Sequence, residues 1–215
     1  MFQGATMKKL FVSSAVALAL SCGALVAEES GAFVGVGVGY GGAKLKSSGG
    51  GDSDTMTLGG LSYEVIAGYK QFFTPEFGLR YYANFAGANT SKTIEGEKQK
   101  VNVMNYGVNV DALYNFINDD SLSFGAFLGL GLGMNSWSGD TVKNIKNDLS
   151  SIGKVKTSGF DLALNLGVRT EIAKHHGIEV AARVPFLATT LIDKDGIKGT
   201  LQQTYNVGAR YIFSF

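Results

Sequence analysis

Along this chain, apolar residues and small or polar ones trade places at every second position, in eight separate segments. The first is FVGVGVGYGG, residues 33–42, where Val34, Val36, Val38 and Tyr40 alternate with Gly35, Gly37, Gly39 and Gly41. A period of two puts successive side chains on opposite faces of a strand. One face is apolar and aromatic. The other is nearly bare backbone, which in a strand marks a place where something approaches closely. The same period runs through residues 61–70, 77–85, 104–116, 122–134, 160–169, 178–188 and 205–215. Ordinary strands average about five or six residues, whereas a tilted strand crossing a bilayer needs about 9–11. Period and length together predict an all-β fold, an eight-stranded antiparallel transmembrane β-barrel.

The connections support this. Thr74-Pro75-Glu76, Asn118-Asp119-Asp120 and Lys174-His175-His176 are short, whereas residues 42–60, 88–100, 136–157 and 191–200 read as four long polar loops. Short turns at one end and long loops at the other is the outer-membrane arrangement, with both termini on the periplasmic side and the long loops outside. A soluble barrel of lipocalin type would bury the apolar set and expose the polar one. Here the polar set carries Glu64, Lys70, Arg80, Asp111, Asp161, Arg169, Glu179, Arg183 and Arg210. Burying so many charges in an apolar core is costly, so they are expected to form a charge network in a polar lumen, with the apolar set facing lipid. The bare glycine faces leave space there for Tyr82, Arg169 and Arg210. Tyr63, Phe73, Phe77, Tyr106, Phe116, Phe160, Phe186 and Tyr205 cluster near strand ends as two aromatic girdles, and Trp137 is assigned to the outer one.

Before the first strand, Met7-Lys8-Lys9, the apolar run Leu10–Leu20 and the small residues of SCGALVA follow the order of a secretory signal peptide. Eleven apolar residues are too few for a membrane helix. Cleavage is expected after Ala27, so that residues 1–27 are the leader and 28–215 the barrel with its four extracellular loops. Met1–Thr6 then reads as an upstream extension. Cys22, the one cysteine, falls inside the leader and reads as one of its small residues, not as a lipid anchor. The formal charge of +1 points to no nucleic-acid partner.

The last strand, TYNVGARYIFSF, ends in Phe215 with Phe213 and Tyr211 at alternate positions behind it. It resembles the C-terminal signature strand of bacterial outer-membrane barrels, which implies recognition by the barrel-assembly machinery through Tyr211, Phe213 and Phe215. With AEESGAFVGVGVGYG at the mature start, it resembles the Helicobacter outer membrane protein family, as a small member, and an OmpA/OmpX-type eight-stranded barrel. The resemblance implies a Gram-negative outer membrane, with its lipid and lipopolysaccharide as partners. The large adhesins of that family carry an N-terminal extracellular domain for which this chain has no room, so their activity is not carried over.

Catalysis is not expected, and neither is a cofactor or a metal. A site would need a base and a nucleophile on the outer side, and the only histidines, His175 and His176, fall in a short turn. Asp52 and Asp54 sit in GGGDSD, which reads as a solvated tip. A channel would need an open path, but five inward cations against four inward anions suggest pairing, and open aqueous channels come with about 16–18 strands. The long loops form a recognition surface on a rigid barrel. Loop 136–157 is the longest, and Val142, Ile145 and Leu149 give it helical spacing. Lys92, Lys98, Lys100, Lys143, Lys146, Lys154 and Lys156 lie near the outer rim, placed to touch lipopolysaccharide phosphates. The expected role is structural or adhesion-type surface interaction through the loops, with a host or surface ligand. A narrow porin-like channel for ions or small solutes is the alternative.

Overall fold

The structure, a computed structural model, describes residues 30–49, 52–94, 96–119, 121–149, 153–194 and 196–215. The leader and its cleavage point at Ala27 lie outside the described residues. Nine strands and a helix follow one another: β1 (Gly31–Gly49), β2 (Asp52–Phe72), β3 (Phe77–Ile94), β4 (Glu97–Asn118), β5 (Leu122–Ser138), α1 (Asp140–Asp148), β6 (Ser158–Ile172), β7 (His176–Pro185), β8 (Thr189–Lys194) and β9 (Ile197–Ser214). Neighbouring strands pair antiparallel, and β1 pairs back onto β9. The ring therefore closes on itself, the arrangement that pairs the backbone groups of a sheet in lipid, with β8 held on one side only. β7 and β8 both pair with β9, so they are two pieces of one staves' position and the wall has eight. Among the described residues, no helix is long and apolar enough to cross a membrane.

The alternation becomes an outside and an inside. Val38 and Leu132 are 66% and 62% exposed on the outer surface, whereas Lys70, Arg80 and Asp111 are buried inside. An eight-stranded barrel leaves an interior just wide enough for side chains, and the glycine face provides the room. A methyl group on Gly37 would lie 2.9 Å from the Glu64 carboxylate, and one on Gly131 would lie 2.6 Å from Arg183 Nη1.

Three expectations are corrected. Residues 42–60, 88–100 and 191–200 are not open loops; the strands continue through them as paired hairpins. Most of their polar residues are exposed there, Thr90 being a buried exception, so composition hid the period. Trp137 does not sit in the outer girdle. It lies in β5 at an inward position, 4% exposed, because the odd-numbered positions of that strand point inside. The seventh strand is broken at Pro185, which has no N–H to give the ladder, and Phe186, Leu187 and Ala188 leave the sheet exposed.

Beyond the lipid-facing zone the two faces exchange chemistry. On β1 the outward series Val34, Val36, Val38, Tyr40 gives way to Lys44 and Lys46, and the inward glycines give way to Ala43 and Leu45. Ala43, Leu58, Ala88, Val101, Val103, Trp137, Leu191 and Leu201 close into an apolar core at the long-hairpin end. On β9 a bulge carries the change: Gly42 pairs with Tyr205 and Ala43 with Gln203, skipping Thr204. Leu201 and Gln203 can then face inward on odd positions, and Arg210 and Ile212 on even ones.

Candidate functional site

Among the described residues, ten charged side chains fill the lumen, and one strand serves as a ladder through it. The inward residues of β4, read from the short-turn end, are Asn115, Leu113, Asp111, Asn109, Asn105, Val103 and Val101. Beside Asn115, Arg169 Nη1 donates to its Oδ1 at 3.0 Å. Arg169 also pairs with Glu171 at 3.0 Å, and Glu171 takes Lys70 as a second cation. At the level of Asp111, Arg80 bridges two acids, Asp111 at 2.8 Å and Glu179 at 2.5 Å. The Arg80 guanidinium lies 4.7 Å from the centre of the Phe127 ring and 5.1 Å from that of Tyr82. Aromatic faces attract a cation where water is absent, so this arginine is held by charge and by stacking. Arg210 pairs with Glu64 at 2.5 Å and approaches Glu179 at 3.6 Å.

Above the charges runs an amide ladder. Asn109 Nδ2 donates to Asn84 Oδ1 at 2.8 Å, Asn165 Nδ2 to Asn109 Oδ1 at 3.0 Å, and Asn84 Nδ2 to Asn105 Oδ1 at 2.6 Å. Asn105 Nδ2 and Arg183 Nη2 both donate to Asp161 Oδ2, at 2.7 and 2.5 Å. The apolar core then closes the end. Trp137 Nε1 donates to Thr189 Oγ1 at 2.9 Å, and Val142 of α1 is buried beneath the helix with Ile145 and Leu149 packed against the same core. The segment spaced for a helix folds as α1, seated on that core beside β4 and β5.

All nine charged positions singled out in the sequence lie inside, and the pairs above bring them together. Glu171 was missed, because the alternation was followed only to Arg169; it is two residues further on the same face. With it, five cations meet five carboxylates, and the charge in the lumen cancels. The cations are sorted by kind. All four arginines lie inside, together with Lys70, whereas the lysines singled out along the hairpins are at the long-hairpin end. Arginine's planar fork suits two-acid bridging in a dry interior, and lysine's compact, strongly hydrated ammonium suits water.

The remaining candidates are peripheral. Asp54 Oδ1 accepts from Thr55 N at 2.7 Å on an exposed hairpin; nothing basic is recruited to it among the described residues. His175 Nδ1 lies 2.9 Å from Ser214 O and His176 Nδ1 2.7 Å from Tyr211 Oη, so both rings clasp β9 at the short-turn end. Among the described residues no group of three His, Cys, Asp or Glu gathers to hold a metal ion. Phe213 and Phe215 meet edge to face at 5.3 Å, and Phe215 N donates to Ala32 O at 3.0 Å.

The Helicobacter outer membrane protein family matches residues 64–215. No curated protein matches the chain. Among solved structures, the chain is similar to Neisserial surface protein A, at 17% identity over 87% of this chain and 100% of that one, with a TM-score of 0.49. It is similar to OprG of Pseudomonas aeruginosa, at 13% identity over 89% of this chain and 100% of that one, with a TM-score of 0.45. It is also similar to the attachment invasion locus protein Ail of Yersinia pestis, in complex with the heparin analogue sucrose octasulfate, at 15% identity over 84% of this chain and 99% of that one, with a TM-score of 0.32.

Proposed function

Because the chain belongs to the Helicobacter outer membrane protein family, we propose that this outer-membrane β-barrel is a non-catalytic surface-interaction protein. Its long-hairpin end faces outward and carries the recognition surface, and its lumen conducts nothing. One observation carries the reading: the interior is filled, first by a charge network that cancels and then by an apolar core under α1. A permeating ion would have to displace paired guanidinium and carboxylate groups and then cross a dry layer, and each step is costly. A rigid wall that ends in ordered hairpins is instead suited to presenting side chains, because little ordering entropy is lost on binding. The lysines of that end favour the phosphates of lipopolysaccharide, and β9 presents Tyr211, Phe213 and Phe215 to the assembly machinery. Residues 28–215 act as one domain, with residues 1–27 as an export leader cut after Ala27.

Planar-bilayer conductance of the refolded mature chain tests this, with Arg210→Glu beside it. No unitary current is expected from either protein once heat-modifiable gel mobility confirms folding. Steady currents whose ion selectivity shifts in the variant would overturn the reading and establish a narrow channel. Deletion of residues 140–148 is expected to abolish binding of the purified protein to cells that the intact protein binds.

A further inference from the structure

One carboxylate in the lumen is shared by more arginines than it can bond. Glu179 stands on β7 directly opposite Arg169 of β6 and Arg210 of β9 in the two ladders, and Arg80 reaches it from β3 across the barrel. Arg80 Nη1 donates to Glu179 Oε1 at 2.5 Å. Arg210 Nη1 lies 3.6 Å from Oε2, and Arg169 Nε lies 3.9 Å from Oε1. Each of the three arginines already holds an acid of its own: Asp111 for Arg80 at 2.8 Å, Glu64 for Arg210 at 2.5 Å and Glu171 for Arg169 at 3.0 Å. None of them depends on Glu179 for a partner, whereas the network depends on it for a charge. Without it, five cations in the lumen face four carboxylates, and an uncompensated buried charge is costly. The fit at Glu179 is also incomplete. Among the described residues, neither Glu179 Oε2 nor Arg210 Nη1 has a hydrogen-bond partner, although both atoms are shielded from solvent. Buried polar atoms are seldom left so; the tether from β7 lets one oxygen reach Arg80 and leaves the other short of Arg210.

We propose that Arg80, Arg169 and Arg210 form a binding site for a small carboxylate, and that the chain fills this site itself, with the Glu179 side chain as a tethered stopper. Three guanidinium groups from three strands converge on one point, and planar forks of this kind recognise carboxylates. The site requires a negative charge of that size, and its contacts do not require the charge to arrive on a side chain. A purely structural pair is matched to one partner and bonded through both oxygens, as Glu64 is by Arg210 Nε and Nη2 at 2.5 and 3.0 Å. Glu179 is shared among three and bonded through one. Its removal would turn a sealed lumen into an anion receptor, so the inference deepens the proposed function and rests on its closed lumen.

The test separates the charge from its tether. The refolded full barrel in detergent micelles is unfolded in urea at equilibrium, with folding read by heat-modifiable mobility, in potassium formate or in potassium gluconate at the same concentration, about 100 mM. Formate has the size of the missing headgroup; gluconate carries the same charge on a body too large for the site. Glu179→Ala is expected to unfold at lower urea than the parent in gluconate. In formate it should recover about 0.5–1 M of its midpoint, the shift that mass action gives for a dissociation constant of about 5 mM. The parent and Glu179→Gln should differ by less than about 0.2 M between the two salts, because a side chain still fills the site in both. Equal midpoints of Glu179→Ala in the two salts would overturn the proposal. So would an equal formate shift in Glu179→Gln, which would make the effect a general one of the salt. Adding Arg169→Gln to Glu179→Ala restores the balance of charge and is expected to abolish the formate response; a retained response would overturn the three-arginine site. Should Glu179→Ala fail to refold in gluconate, its refolding yield becomes the readout, with a severalfold gain in formate expected, and no gain would overturn the proposal. Planar-bilayer conductance of the parent tests the other reading separately: steady current there would defeat the closed lumen, while formate recovery of the variant would still establish the arginine site.

Discussion

Arg80 holds two carboxylates and touches aromatic rings, so its removal should be costly. Arg80→Ala leaves Asp111 and Glu179 buried without it, and breaking a buried pair costs about 3–5 kcal/mol. The expected result is a lower urea midpoint for loss of heat-modifiable mobility. Adding Asp111→Asn and Glu179→Gln to that variant should restore much of the loss, because the stranded charges are gone. Gly37→Leu should destabilise by about 1–3 kcal/mol in the same assay, since overfilling a packed interior forces its neighbours aside; here the neighbours are the Glu64 and Arg210 side chains. Parity made most of this interior legible, since a period of two assigns each residue to a face. Trp137 also obeys that parity, but its aromatic character suggested an interface position. Which acid each arginine selects was not legible, because pairing across the lumen joins residues up to 146 apart in sequence, as Ser62 and Asn206 are 144 apart.

At the scale of elements, the strands were legible where lipid demands an apolar face and lost where water replaces lipid. Beyond the membrane zone, polar residues turn outward and the sequence takes on the composition of a loop, although the backbone stays paired. α1 is the opposite case, because its spacing was readable and its seat was not. A nine-residue helix is too short to hold itself in water, so its packing on the apolar core sustains it. Val142→Asp is expected to release α1 while leaving the barrel intact. Hydrogen exchange at residues 140–148 should rise toward the rate of an unfolded segment, Trp137 emission should shift to the red, and gel mobility should not change. Retained protection of α1 would mean that its exposed face, and not the core beneath, supports it.

For the whole molecule, closure depends on β9, which meets β1 on one side and β7 with β8 on the other. The first strand must therefore wait for the last, and non-local pairing of this kind is slow. Phe215→Asp separates assembly from stability. Phe215 is exposed at the end of the wall, so the variant should refold from urea in detergent micelles to near the parent's yield, while its folded amount in cells falls severalfold. Equal losses in both settings would make Phe215 a structural residue only.

The continuation of the strands past the lipid zone sets a height. With about 3.3 Å per residue and a tilt of about 40°, the 22 residues of β4 rise about 55 Å, against an apolar band about 25 Å tall. The surplus stands on the side of the long hairpins, stiffened by its own dry core. With the outward orientation proposed above, the molecule is in effect a pillar that lifts its long hairpins roughly 25–30 Å clear of the hydrocarbon. A partner can then meet those hairpins without reaching down to the membrane.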